Sequence, residues 1–331
     1  MRVMLATQAA DLDFSEGREK GLTAYWAEIE ALLQRVGPMY LSTKLDGVRG
    51  ATSSGKVMSR TWKPIRSDKI QEVFGFHFLD GLDGEFIAND ANDPNAMQAA
   101  TSATSKKDSE IIPTYHIFDY HLEQDLPFSE RYGKLQAFDS YLKNLPSTPE
   151  YNLIRSHIKV IPQVLVSNAM EVKRHVERFI EEGYEGGMLR SPTSPYKTGR
   201  STLREAYLLK VKIWEDAEAE VLYAYEAVHN TNEAEFDERG YTKRSSAKAG
   251  KVPAGYLGGL HVKDTATDIE FDIGIAVRGA WSLADRKALW STAPLLIGKI
   301  LTYRHFPTGV VSKPRFPKFV AWRDDSDRGE A

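Results

Sequence analysis

The chain changes texture at about Trp214, and that change limits the folds open to it. Upstream, helical and strand patterns are interleaved. Downstream, "AEAEVLYAYEAV", "YLGGLHVKD", "DIEFDIGIAV" and "GKILTYRHF" are short strand patterns divided by turns. In the third, Ile269, Phe271, Ile273 and Ile275 alternate with Asp268, Glu270 and Asp272, giving one apolar and one wet face. One short helix, Ser282 to Leu289, interrupts the series. Short strands around a single helix suit a small β-barrel, and 331 residues are enough for two cores. The expectation is an α+β domain over 1–213 and a β-barrel domain over 214–331.

Within the first part, Leu22, Tyr25, Trp26, Ile29, Leu32, Leu33 and Val36 recur in steps of three and four, one helical face stopped by Gly37-Pro38. "MYLSTKL" reads as a strand ending at the Asp46-Gly47 turn signal, and "GKVMSR", "LDGEFIA" and "YHIFDYHL" as further strands. "PFSERYGKLQAFDSYLKNLP" reads as a helix packed through Leu135, Phe138 and Leu142. Another starts at an Asn168 cap and runs through Val172, Val176 and Phe179 to Gly183. The polar stretch Asn89 to Asp108 reads as a loop.

Composition removes several function classes. With no cysteine there are no disulfides, thiolate metal sites or cysteine nucleophiles. No apolar run approaches the roughly 20 residues that span a bilayer, and the stretch before Asp11 is too short for a secretory signal. The expectation is a cytoplasmic protein, with a monomer as the default. A net charge of -3 argues against holding nucleic acid by bulk electrostatics, but leaves room for a local basic surface. His116 and His121 flank Asp119 without zinc spacing and read as ordinary polar residues.

The segment with chemical potential is "LSTKLDGVRGA", Leu41 to Ala51. An unprotonated lysine can attack the α-phosphate of a nucleotide, giving a phosphoramidate labile enough to pass the nucleotide on. Asp46 could bind a metal or orient a hydroxyl, and Arg49 could hold a ribose or phosphate oxygen. Taken alone, the segment also reads as a charged hairpin. Lys210 and Lys212, at i and i+2 on a strand, can address one triphosphate, or form a solvated face. Phe118 could stack on a purine or be plain core; Arg131 could simply decorate a first helical turn.

"KLDGVRG" resembles motif I of the covalent nucleotidyltransferases, the superfamily of ATP-dependent DNA ligases, RNA ligases and mRNA capping enzymes. Further motifs follow in that family's order. "SRTW" resembles the motif whose arginine, here Arg60, reaches the nick phosphate. "LDGEF" resembles the acidic motif at ribose and metal, with Asp83 and Glu85. "IFDY" resembles motif III, with Phe118 on the purine, and "PFSERYGKL" the helix start bearing Arg131. "EGGMLR" resembles motif IV, with Glu185 as metal carboxylate. "YKTGRS" matches the next loop, with Lys197 and Arg200, and "LLKVK" resembles motif V, with Lys210 and Lys212 on the phosphates. Ser42 lies where the family often contacts the adenine amine.

The ending "GKILTYRHFPTGVVSKPRFPKFVAWRDD" resembles the end of the OB-fold domain of small bacteriophage-type and bacterial ATP-dependent DNA ligases. It maps motif VI onto Arg323 with Asp324 or Asp325, without the usual following lysine. The resemblance implies a nucleotidyltransferase (adenylation) domain of antiparallel sheets with flanking helices, then an OB-fold barrel. It implies ATP, a covalent AMP on Lys44, Mg²⁺ (Mn²⁺ able to substitute) and nicked double-stranded DNA as partner. An RNA ligase or GTP-using capping enzyme is the alternative, and a non-enzymatic OB-fold binder the third reading. Lastly, "RGYTKRSSAKAGK" carries Arg239, Lys243, Arg244, Lys248 and Lys251 with no acid, the pattern of a duplex-binding loop or of a solvated basic one.

Overall fold

Two apolar rows, one per sheet, organise the first half of the chain. The computed structural model describes residues 3–10, 18–91, 93, 95–236, 242–245, 248–274, 281–306 and 313–323. They fall into two units, Met1–Ile213 and Trp214–Ala331.

The first sheet of the first unit has the order Thr7–Gln8, Leu208–Val211, Gly187–Arg190, Met39–Thr43, Val164–Val166. Leu41 faces Leu189, and Leu189 faces Leu209, all fully buried. Helices Arg18–Val36 and Ala169–Glu181 cover this row through Tyr25, Ile29, Val172 and Val176. Each such aliphatic side chain contributes roughly 1.5–3 kcal/mol by leaving water, so Ile29→Ala would cost about 2–5 kcal/mol. The Asn168 side chain caps the second helix by accepting from Glu171 N at 2.9 Å. Gly37, at φ +81°, ends the first in the left-handed region that glycine alone enters cheaply.

The second sheet runs Lys56–Ser59, Val48–Ser53, Leu82–Ile87, Thr114–Tyr120, Ile158–Val160, antiparallel except for its last pair. Phe86 stacks on Tyr115 at 4.3 Å, and helices Asp68–Phe74, Phe128–Asn144 and Pro149–His157 close over them. Gly84 belongs to an Asp-Gly pair yet sits inside a strand. A Cβ there would lie 2.4 Å from the His116 carbonyl oxygen, so the position needs glycine for close backbone approach. On the sheet's other face, register aligns Arg49, Glu85, His116 and Lys159 in one row across four strands.

Asn89 to Asp108 is not all loop: Ala96–Ser105 is helical, burying Ala96, Ala100, Ala103 and Thr104 on one face. The buried residues are small and stand among serines and threonines, so the apolar period is faint.

The second unit centres on one sheet ordered Glu270–Gly274, Lys251–Asp264, Glu215–Asn230, Ile300–Phe306, Arg315–Trp322. The 16-residue central strand pairs with one neighbour along residues 219–230 and with the other along 215–220. This staggered sharing lets the sheet coil around Val221, Leu260, Phe271 and Tyr303. Phe271 and Ile273 point inward, as the alternation requires. The edge strands form no ladder among the described residues, so the expected barrel is an open, coiled sheet. Helix Leu283–Ser291 starts with a reciprocal capping box between Ser282 and Asp285. Among the described residues, no helix is long and apolar enough to cross a membrane.

Candidate active site

A cleft in the first unit takes one wall from each sheet: Ser42, Lys44 and Met188 from the first, Arg49, Glu85 and Phe118 from the second. Lys44 directly follows its strand. Its N–H donates to Gly186 O at 2.8 Å, and its carbonyl accepts from Glu185 N at 3.3 Å, so the backbone ladder draws the two side chains together. The Lys44 ammonium donates to one Glu185 oxygen and Lys212 to the other. Burial pushes the Glu185 carboxyl up, but the two ammonium groups outweigh it and hold it below the usual range. Burial, helped by the charge of Lys44, brings Lys212 down to about 8. Lys210 lies opposite Met188, on a strand position two residues before Lys212.

Arg49 spans both oxygens of Asp83 at 2.6 Å each, and the Tyr196 hydroxyl donates to the same carboxylate at 2.6 Å. Burial opposes the guanidinium charge, yet Asp83 more than compensates, and the Arg49 pKa is raised. Asp83 is fully buried with both oxygens bonded. Its contacts orient Arg49, whose Cζ stands 4.5 Å over the Phe118 ring.

Glu85 is the acid not satisfied in this way. Burial is the largest influence and raises its carboxyl to about 7, against the pull of Arg49 and Lys44. A carboxyl so reluctant to ionise alone is suited to a cation. Glu85 and Glu185, from opposing sheets and both beside Lys44, offer the two hard oxygen donors that Mg²⁺ accepts alongside water and phosphate. No group of three or more acidic or histidine side chains makes a closed cage among the described residues.

Phe118 is half-buried, packed behind against Leu45, Ile87 and Ile161 and exposed on the cleft side, so it is both core and wall. Met188 and Arg190 line the cleft too and were not singled out from sequence. Period two in "GMLR" sets Met188 and Arg190 on one side and Gly187 and Leu189 on the other, although Arg190 is itself buried. Arg131 is not at the surface. It is fully buried, donating to Asp119 Oδ1 at 2.8 Å and to the carbonyls of Ser194 and Leu126. Asp119 also accepts from Arg190, which ties the second sheet to the first beneath Phe118. Burial lowers both arginines to about 10. A DNA contact by Arg131 is therefore corrected to an internal brace.

Other expected residues are dispersed. Ser42 is buried in the cleft wall, and Asp46 is half-buried just past Lys44. Arg60 is exposed at the cleft mouth, on a turn whose Trp62 holds φ +63°. Lys197 pairs with both Glu205 oxygens at 2.7 Å, and Arg200 donates to the Ala6 carbonyl. In the second unit, Arg323 pairs with Glu218 at 2.5 Å. Lys248 and Lys251 are exposed, while Lys243 and Arg244 belong to the short strand Thr242–Arg244. Arg239, Asp324 and Asp325 lie outside the described residues.

Two sheets enclosing a lysine, a shared acid and an aromatic wall make a candidate nucleotide cleft, and the fold around it is that of a nucleotidyltransferase domain. The family profile described as ATP dependent DNA ligase domain matches residues 21–212. The chain belongs to that family. Among solved structures it is similar to one from a study of minimal-scaffold DNA binding by Lig E DNA ligases, at 21% identity and TM-score 0.64, covering 98% of this chain and 99% of that one. It is also similar to the Chlorella virus DNA ligase-adenylate, at 25% identity and TM-score 0.50, with 98% and 99% covered. No curated protein sequence matches significantly. The family assigns the activity: sealing of 5′-phosphate/3′-hydroxyl nicks in duplex DNA with ATP and a divalent metal such as Mg²⁺, through lysyl-AMP and an adenylated 5′-phosphate.

Proposed function

We propose that Lys44 is the lysine that carries AMP. The observation that supports this most directly is its place at the cleft, sharing the Glu185 carboxylate with Lys212. In the first step the free amine of Lys44 attacks the α-phosphorus of ATP. The P–N bond forms as the bond to the bridging oxygen of pyrophosphate breaks, and the ammonium proton passes to Glu185. In the second, the 5′-phosphate at a nick attacks the same phosphorus and frees Lys44. In the third, the 3′-hydroxyl attacks the DNA phosphate and AMP leaves. Phosphoryl transfer relies on positioning and charge more than on acid–base work.

Phe118 and Met188 hold the purine, and Arg49, locked by Asp83, faces the ribose. Lys210 and Lys212 take the phosphates. Glu85 and Glu185 would hold the magnesium ion, which supplies charge neutralisation to the phosphates when bound. Asp46 orients the attacking strand, Ser42 contacts the adenine amine, and Arg60, Lys197 and Arg200 grip DNA near the nick. The first unit, 1–213, is the adenylation domain and the second, 214–331, the OB-fold domain. Its Arg323 contributes to the pyrophosphate-releasing step, and its basic stretch from Arg239 to Lys251 binds duplex phosphates. The protein works as a monomer in the cytoplasm. A 5′-labelled nicked duplex tests this reading: the protein should seal it with ATP and Mg²⁺, and Lys44→Ala should not. Sealing confined to nicked RNA duplexes would overturn the DNA assignment.

A further inference from the structure

A second cavity, of about 490 Å³, opens on the other side of the strand end that carries Lys44. It lies within the roughly 300–1,000 Å³ range of small-molecule sites. Thr43 and Leu45 line both it and the nucleotide cleft, so the two spaces share a wall that brackets Lys44. The transverse row noted above ends in it: Arg49 and Glu85 face the first space, His116 and Lys159 the second.

His116 is only 7% exposed, yet its ring makes no hydrogen bond among the described residues. Its nitrogens are not among the buried polar atoms left without a partner, so they reach the open cavity and can bond what enters it. Burial, then the charge of Lys159, keeps it neutral, with one donor and one acceptor to offer. Lys159 is exposed beside it and forms no ion pair among the described residues. Across the cavity, Arg178 is opposed by Glu182 at 3.5 Å. Phe179 and Tyr184 supply flat apolar walls, and Asp90 an acceptor at the rim.

We infer that this cavity is a second nucleotide site, taking a nucleoside 5′-phosphate. The base packs against Phe179 and Tyr184 with its edge on His116, a sugar hydroxyl donates to Asp90, and the phosphate meets Lys159. Two sources share that chemistry: free AMP, which sealing releases, and the terminal nucleotide of a nicked strand. The site stands on its own geometry, whereas its coupling to Lys44 rests on the function proposed above.

The test fills the first cleft covalently and counts what still binds. Protein adenylated with unlabelled ATP is dialysed against radiolabelled AMP, and in a parallel arm, with the metal chelated and the nick lacking its 5′-phosphate so that AMP stays on the protein, is titrated with nicked and intact duplexes. Binding of a further equivalent of AMP, lost in His116→Leu and Lys159→Ala, identifies the free nucleotide. No AMP binding, but at least a tenfold loss of preference for nicked over intact duplex in the same variants, identifies the strand terminus. If neither effect is observed, the proposal is overturned. Lys159→Ala guards against misfolding, since Lys159 is exposed, and both variants should still self-adenylate. If Lys44 takes no AMP, the functional reading fails, and the second site is then judged by whether the unmodified chain binds two AMP or one.

Discussion

Lys44 and Glu185 are joined twice, by a backbone hydrogen bond from Glu185 N to the Lys44 carbonyl and by an ion pair between their side chains. The acid is thereby fixed against the amine before any substrate arrives. Glu185→Gln keeps the shape and removes the charge, so the protein should stay folded by circular dichroism while adenylation slows by about 10²–10⁴-fold. Unchanged adenylation in a folded variant would remove Glu185 from the chemistry.

The Glu85 carboxyl, raised to about 7 chiefly by burial, gives a pH dependence with a definite sign. Below about 7 the protonated acid cannot ligate a cation, so adenylation at limiting Mg²⁺ should fall on that side. A bound cation favours the ionised form, so more Mg²⁺ should move the falling limb to lower pH. Without metal, the fold holds this proton where the unfolded chain has released it. That contribution to stability therefore weakens as pH rises from about 4.5 to about 7. Rates measured from pH 5 to 8 at two magnesium concentrations check it; a limb that does not move assigns the pH dependence elsewhere.

Arg131→Ala should cost stability rather than DNA affinity. Removing one partner of a buried ion pair leaves the Asp119 charge under-compensated, a loss of roughly 3–5 kcal/mol. Thermal unfolding reads that loss, and nicked-duplex binding below the transition should be unaltered. The reverse pattern would return Arg131 to the DNA surface.

Trp62 bears on the turn that presents Arg60. A bulky residue at φ +63° costs about 1–2 kcal/mol, and the indole sits edge-on to buried His121 at 5.3 Å. Trp62→Gly relieves the backbone but removes the ring that sets the turn. Label uptake by Lys44 should persist while transfer to nicked DNA slows by up to about 10²-fold. Equal losses in both steps would point to general damage instead.

Much of the candidate cleft was legible in sequence, because strands carry chemistry at fixed periods. Lys44, Arg49, Glu85, Phe118 and Glu185 stand within or beside short strands whose alternation sets their faces. What the sequence concealed was pairing over long separations. Nothing local shows that Asp83 is spent on Arg49 and Tyr196, or that Arg131 turns inward to an acid twelve residues earlier. The Ala96–Ser105 helix was hidden for a different reason: its buried face is built of alanines, too small to mark a period among hydroxyl side chains. His121 looked like an ordinary polar residue, yet it is fully buried, with Nε2 donating to the Thr52 carbonyl at 3.0 Å.

The most direct measurement is incubation with ATP or GTP labelled at the α-phosphate, in Mg²⁺, followed by peptide mapping of the labelled protein. Label should transfer from ATP onto the peptide containing Lys44, resist denaturation, be released by pyrophosphate, and vanish in Lys44→Ala. Label arriving only from GTP, on another residue, or undiminished in Lys44→Ala would contradict the account at its centre.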